Sequence, residues 1–193
     1  MRFDSTPIPG AWLIDLEPRT DERGFFARVW CEVEFAEHGI VEPFVQTNLS
    51  YNQRAGTLRG LHYQKPPHGE AKLMRCIAGA IYDVIVDVRP SSPAFGRWFG
   101  VELSAANRRM LYVPAGCAHG YQALSDGAET LYSVSAHYAP GAESGIRWND
   151  PTFGIVWPIP DAILSPKDTT WTTWPDFAGL NLSLSSTPGE IHP

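Results

Sequence analysis

Cysteine is scarce in this chain: its 193 residues hold three, Cys31, Cys76 and Cys117. The count is odd, no CxxC pair occurs and no zinc spacing can be traced, so neither a disulfide framework nor a zinc ribbon fits. Free, mostly buried thiols in a reducing compartment are the expectation. Long apolar runs are missing as well. No stretch approaches the roughly 20 apolar residues of a membrane helix, and the opening MRFDSTPIPG has no apolar signal core. A cytoplasmic protein that does not bind membrane is therefore expected. Positive charge is not in excess either. The net charge of -6 with His neutral argues against a nucleic-acid surface, but a few Arg and Lys suffice to hold a nucleotide. No GxGxxG opens a helix after a strand, which excludes a Rossmann unit.

What is present points to strands. An apolar fraction of 44% with 19% charged residues reads as globular. The 17 Gly and 17 Pro are spread along the chain, as the turns of a many-stranded β protein require. GAWLIDLEPRTDERGFFARVW predicts two strands around a polar turn at Arg19 to Arg23. CEVEFAEHGI predicts a short helix ending near Gly39. FVQTNLSYNQ, TLRGLHYQ, AKLMRCIAG, AIYDVIVDVRP, RWFGVELS, RRMLYVP, AHGYQALS and ETLYSVSAHY follow as strands, with a Pro/Gly loop at KPPHGE. Ile81, Asp83, Ile85 and Asp87 share one face of their strand, and Tyr82, Val84, Val86 and Val88 the other. The Val face is expected to pack on a second sheet, and the mixed face to line a barrel that holds a polar ligand. Asp83 is expected to steady Lys72 or His62, Asp87 to pair with Arg89 at the rim, and Trp148 and Trp157 to pack the barrel end. The pattern predicts an all-β fold, a double-stranded β-helix or jelly roll with a few short helices. Residues 1–175 form the domain in this reading, and 176–193, with His192, a C-terminal tail.

The spacing also resembles the metal frame of the cupin barrels. Gly56 is followed by five residues and His62, Lys72 by six residues and Gly79, and Pro114, Gly116 and His119 match a second motif. The ligands are wrong for a metal. Gln64 stands where a second His belongs and Lys72 where a Glu belongs, and an ammonium repels a dication. His62 and His119 are too few on their own, so neither a metal nor a cofactor is expected. A His that takes a proton, a Lys that steadies an oxyanion and a Tyr that returns a proton suit abstraction from a carbon beside a carbonyl.

LRGLHYQ at Leu58, GEAKLMRCIAGAIYDVIVDVR, SPAFGRW, PAGCAHGY, GIRWNDP and LSPKD together resemble the dTDP-4-dehydrorhamnose 3,5-epimerase family, over nearly the whole chain. The resemblance implies a metal-free jelly-roll homodimer that inverts C3 and C5 of a nucleotide-linked 4-keto-6-deoxy hexose through an enolate. It implies His62 as base, Tyr132 as proton donor, Asp168 as the carboxylate behind the base and Lys72 at the keto oxygen. It also implies substrate contacts at Gln46, Thr47, Asn48, His119, Glu143 and Lys167, with Tyr138 stacking on the nucleobase. Arg59 would meet the diphosphate, as would Arg23, reaching across to the partner's site. Arg28, Leu49 and Cys117 depart from the family pattern and bear on the nucleotide and the pocket wall. Several alternatives share this frame: inversion of one carbon only or of a CDP- or GDP-linked sugar, a ring-isomerising or dehydrating relative, a non-catalytic sugar-binding barrel, and a metal-dependent oxygenase.

Overall fold

The computed structural model describes residues 1–174. The expected tail from Asp176, with His192, lies outside the described residues. The strands are β1 (Arg2–Ser5), β2 (Trp12–Asp15), β3 (Arg19–Asp21), β4 (Gly24–Phe26), β5 (Gln46–Asn52), β6 (Leu58–Gln64), β7 (Lys72–Ala78), β8 (Ala80–Asp87), β9 (Trp98–Ser104), β10 (Met110–Val113), β11 (Cys117–Ala123), β12 (Ala128–Val134) and β13 (Glu143–Gly145). One short helix, α1 (Glu32–Ala36), and a 3-10 turn at Pro140–Ala142 interrupt them.

Eleven of these strands form two antiparallel sheets, in the orders β1-β2-β10-β7-β12-β5 and β13-β6-β11-β8-β9, and β3 and β4 pair by themselves. Apart from β1-β2 and β8-β9, neighbours in each sheet are not consecutive in sequence, as a jelly roll requires. Leu13, Met74 and Leu111 of the first sheet and Ile81, Ile85, Phe99 and Leu103 of the second fill the space between them. Each such side chain contributes about 1.5–3 kcal/mol when fully buried. Gly79 joins β7 to β8 in a single-residue turn at φ +67, where a Cβ would stand 3.2 Å from the Ala128 backbone.

Several expectations need correction. Arg19 to Arg23 is no plain turn but most of the β3–β4 hairpin. The Val face of β8 does not meet a second sheet. Val84, Val86 and Val88 pack with Leu58, Leu61, Ile146, Phe153 and Trp157, on the side away from the inter-sheet core. The C-terminal segment thus coats the outside of the five-stranded sheet, which explains why every residue of β11 is buried. Trp148 and Trp157 belong to this coat rather than to a barrel end, and the Trp157 indole N–H donates to the Trp148 carbonyl. Asp87 pairs with Arg89 as expected, but it is fully buried rather than at the rim. The helix forms where expected, with Phe35 buried and Gly39 in the left-handed region just past its end.

Candidate active site

Two walls enclose a cavity of about 370 Å³. The five-stranded sheet contributes His62, Tyr63, Gln64 and Glu143; the six-stranded sheet contributes Gln46, Asn48, Lys72, Tyr132 and Val134, and Glu70 and Tyr138 complete the lining. Residues 46 and 48, and 132 and 134, alternate to the same inner face. Tyr132 lies opposite Asn48 in the β12–β5 ladder and opposite Met74 in the β12–β7 ladder.

His62 is built into a cross-strand row. In register with it stand His119 of β11 on one side and Gly145 of β13 on the other. The C-terminal segment brings in Asp168, whose Oδ1 accepts from His62 Nε2 at 2.5 Å. Ser165 locks this carboxylate: its hydroxyl donates to Oδ2 at 2.8 Å, and the Asp168 N–H donates back to the hydroxyl at 3.1 Å. Burial pushes the Asp168 carboxyl up, but the hydrogen bond and charge of His62, helped by Ser165 and Trp171, outweigh it and hold the pKa below the ordinary value. An ionised carboxylate accepts only, so in the neutral ring Nε2 carries the proton and Nδ1 is the acceptor.

The other charged groups are also paired. Lys72 Nζ lies 2.9 Å from Glu70 Oε1, with both side chains 13% exposed. Lys167 donates to Glu143 Oε1 at 2.5 Å, and the Tyr138 hydroxyl donates to Glu143 Oε2 at 2.8 Å. Against the upward push of burial, these two donors hold the Glu143 carboxyl below its usual range. Burial, with the Tyr121 and Glu70 charges, raises the Tyr132 phenol above its ordinary value, so it stays protonated. His119 Nε2 and Asp83 Oδ1 share a hydrogen bond at 2.7 Å, and Asp83 is fully buried. Asp83 therefore steadies His119, not Lys72 or His62 as expected.

Of the residues expected from the sequence, His62, Lys72, Tyr132, Asp168, Gln46, Asn48, His119, Tyr138, Glu143 and Lys167 meet in or beside this cavity. Arg59 donates to Asn52 Oδ1 at 2.8 Å and to the Tyr51 carbonyl at 3.0 Å, close enough for its charge to act on Tyr132. Two residues are not brought in. Thr47 points to the outer face of β5 and bonds Ser133 Oγ at 2.9 Å, because alternation sends it the opposite way from Gln46 and Asn48. Arg23 sits at the β3–β4 hairpin, its side chain 85% exposed and paired with Asp21. Nor do two of the departures touch this chain's cavity: Arg28 bonds Glu34 at 2.7 Å on the surface, and Leu49 faces outward. Cys117 is buried, and burial pushes its thiol up to about 12.

Glu70, Ser165 and Trp171 were not anticipated. Glu70 was legible in principle, since an inward Lys72 implies that the residue two positions earlier shares its face. The four positions of the metal frame are committed elsewhere. His62 bonds Asp168, Lys72 bonds Glu70 and His119 bonds Asp83. The Gln64 amide holds the backbone at His68, His137 and Ala139. Among the described residues no group of three or more His, Cys, Asp or Glu is placed to hold a metal ion.

A family model described as dTDP-4-dehydrorhamnose 3,5-epimerase matches residues 5–176. A dTDP-4-dehydrorhamnose 3,5-epimerase of Methanothermobacter thermautotrophicus is 47% identical over 174 residues, covering 88% of this chain and 92% of the relative. A dTDP-4-dehydrorhamnose 3-epimerase of Streptomyces niveus is 40% identical over 170 residues, covering 87% of this chain and 81% of the relative. The crystal structure of a dTDP-4-dehydrorhamnose 3,5-epimerase from Bacillus anthracis, with TDP and pyrophosphate bound, superposes with a TM-score of 0.87. It is 41% identical and covers 90% of this chain and 99% of that one. Matched along its described length in both sequence and fold, the chain belongs to the dTDP-4-dehydrorhamnose 3,5-epimerase family.

Proposed function

We propose that this protein inverts C3 and C5 of dTDP-4-dehydro-6-deoxy-D-glucose to give dTDP-4-dehydro-L-rhamnose, with His62 as base. One observation carries the reading: a carboxylate-backed His on one sheet and an enclosed, protonated Tyr on the other line the same cavity, with Lys72 on the Tyr side. A sugar between the walls loses a C–H proton to His62 Nδ1. The bonding pair moves into an enolate whose oxygen lies beside Lys72. Tyr132 then gives its phenolic proton to the opposite face of the same carbon. C3 and C5 both flank the keto carbon, so one oxyanion partner serves both inversions. Asp168 meets the positive charge that forms on the imidazole and fixes its tautomer. The committed metal-frame positions support chemistry without a metal.

The second chain is part of the proposal. Leu49, Tyr51 and Ile77 leave apolar surface exposed on the outer face of the six-stranded sheet, and Arg75 there has a buried Nε without a hydrogen-bond partner. Phe25 and Phe26 on the Arg23 hairpin are exposed too. A homodimer packed on this face would bury them and carry Arg23 toward the partner's diphosphate, where a guanidinium fork suits two oxygens. The three free thiols suit a reducing cytoplasm.

Incubation with the keto sugar in deuterated water, followed by NMR, tests the reading. Wild type should incorporate deuterium at C3 and C5, and His62→Ala should incorporate none. Exchange by His62→Ala at the wild-type rate would overturn the base assignment. Exchange at C3 alone would favour the single inversion named for the Streptomyces niveus relative.

A further inference from the structure

The row across β13, β6 and β11 leaves one position without a side chain. Gly145 is the register partner of His62, and directly opposed residues in an antiparallel pair project to the same face. The space beside the base would be empty if nothing else filled it. The indole of Trp171 fills it. A Cβ at Gly145 would lie 2.8 Å from Trp171 Nε1 and closer still to Cδ2 and Cε2. Gly145 does not need a left-handed backbone, since it is absent from the positive-φ glycines. Its smallness is explained by the ring that rests on it.

The same ring touches both members of the dyad. Its centroid lies 6.0 Å from that of His62 at an interplanar angle of 61°, an edge-on approach. Its N–H is enclosed and makes no hydrogen bond of full geometry, yet it favours the ionised form of Asp168. Trp171 follows Asp168 by three residues, so the turn that delivers the carboxylate also delivers the ring.

We propose that Trp171 is a positioning residue for the epimerase reaction: seated on Gly145, it holds the His62 ring and the Asp168 carboxylate in their mutual geometry and keeps water from that side of the base. The proposal rests on His62 being the base.

Four variants test it: Trp171→Phe, Trp171→Ala, Gly145→Ala, and Gly145→Ala combined with Trp171→Ala. A misplaced base loses rate rather than affinity. Trp171→Ala should therefore lower kcat about 10- to 100-fold, with KM within about twofold of wild type. Trp171→Phe keeps a ring but loses the N–H that favours the anionic dyad. It should recover most of kcat while moving the acid limb of the kcat–pH profile to higher pH. Gly145→Ala should lower kcat in the wild-type background and cost nothing further once Trp171 is Ala, because the space is then open. A purely structural role would lower the melting temperature, leave kcat and the acid limb unchanged and show no such coupling in kcat. If His62→Ala is inert while all four variants keep wild-type kcat and pH profile, the base stands and the Trp171 proposal falls. If His62→Ala still exchanges, the base assignment fails first. Should Trp171→Ala not fold, Trp171→Phe and Gly145→Ala decide the matter.

Discussion

Replacing Asp168 with Asn removes one charge at almost constant shape, from a side chain only 5% exposed. Two placements of the amide are open to it, and both cost rate. With its oxygen toward His62, the amide still accepts from Nε2, but its NH2 then faces the Ser165 hydroxyl, which already donates to Oδ2 in the wild type. With its NH2 toward His62, it forces the ring proton onto Nδ1 and removes the base outright. Even the better placement loses the ion pair that forms as His62 takes the proton. At an effective dielectric near 20 and a charge separation of about 4 Å, that pair is worth about 4 kcal/mol. Hydrogen bonds to charged groups contribute about 1.5–3 kcal/mol net. Taking about 3 kcal/mol, kcat should fall about 10²-fold. The assay is solvent deuterium exchange into the keto sugar by NMR, with KM measured alongside. Because Asp168 touches the base rather than the cavity wall, KM should stay within about twofold. A variant with wild-type kcat, or one that loses only substrate affinity, would refute the dyad.

Tyr132→Phe should still exchange a proton through His62 but lose inversion by about 10²–10⁴-fold, the usual share of a general acid; equal loss of both activities would remove Tyr132 from the donor role. Co-expressed Arg23→Ala and His62→Ala chains should regain activity that neither has alone, up to about a quarter of wild type, since half the dimers are mixed and each holds one intact site. No recovery, in a mixture that contains the hybrid dimer, would place Arg23 outside the partner's site. Asp87→Ala should cost about 3–5 kcal/mol by leaving Arg89 without the carboxylate that takes its N–H groups. Burial opposes it, but Arg89 and Ser92 hold the Asp87 carboxyl below its ordinary value in the folded protein. That contribution is complete above the unfolded pKa of about 3.9 and disappears as pH falls through the folded value, so the gap to wild type in urea unfolding should close in acid.

The strands were legible because a β ladder writes itself into the sequence as alternation closed by Gly and Pro. From β5 to β12 each expected strand is present. What failed was the partner of each face. Alternation in β8 separates Val84, Val86 and Val88 from Ile81 and Ile85, but an apolar face reads alike whether a sheet or a coil covers it. Here residues 146–174, with little regular structure of their own, do the covering. The same limit hid β13, whose three residues are too few to show a period. Within the site, motif spacing marked His62 and Lys72 and the family resemblance marked Tyr132 and the pairing of Asp168 with His62, whereas the partners of Lys72 and His119 could not be read. Asp83 bonds the residue one strand over, and nothing in the sequence marks that strand as β11. Thr47 was grouped with its neighbours Gln46 and Asn48 as one binding segment, against the two-residue period that turns it outward.

The pairing has a consequence for where the substrate's charge can go. Inside the cavity each cationic or proton-accepting group is matched by a carboxylate: His62 by Asp168, Lys72 by Glu70, Lys167 by Glu143, and His119 below by Asp83. Such a cavity suits an uncharged keto sugar, whose transient oxyanion would, in the proposed reaction, meet Lys72. It offers little to a diphosphate, which carries its charge permanently and needs cations that are not already cancelled. Arg59 is such a cation, since its guanidinium is held by an amide and a carbonyl rather than by a carboxylate. One guanidinium is few for two phosphates. The chain's own -6 net charge repels rather than attracts a diphosphate at long range. A second Arg delivered from a partner chain would supply it, which ties the proposed dimer to the charge inventory of the site rather than to stability alone.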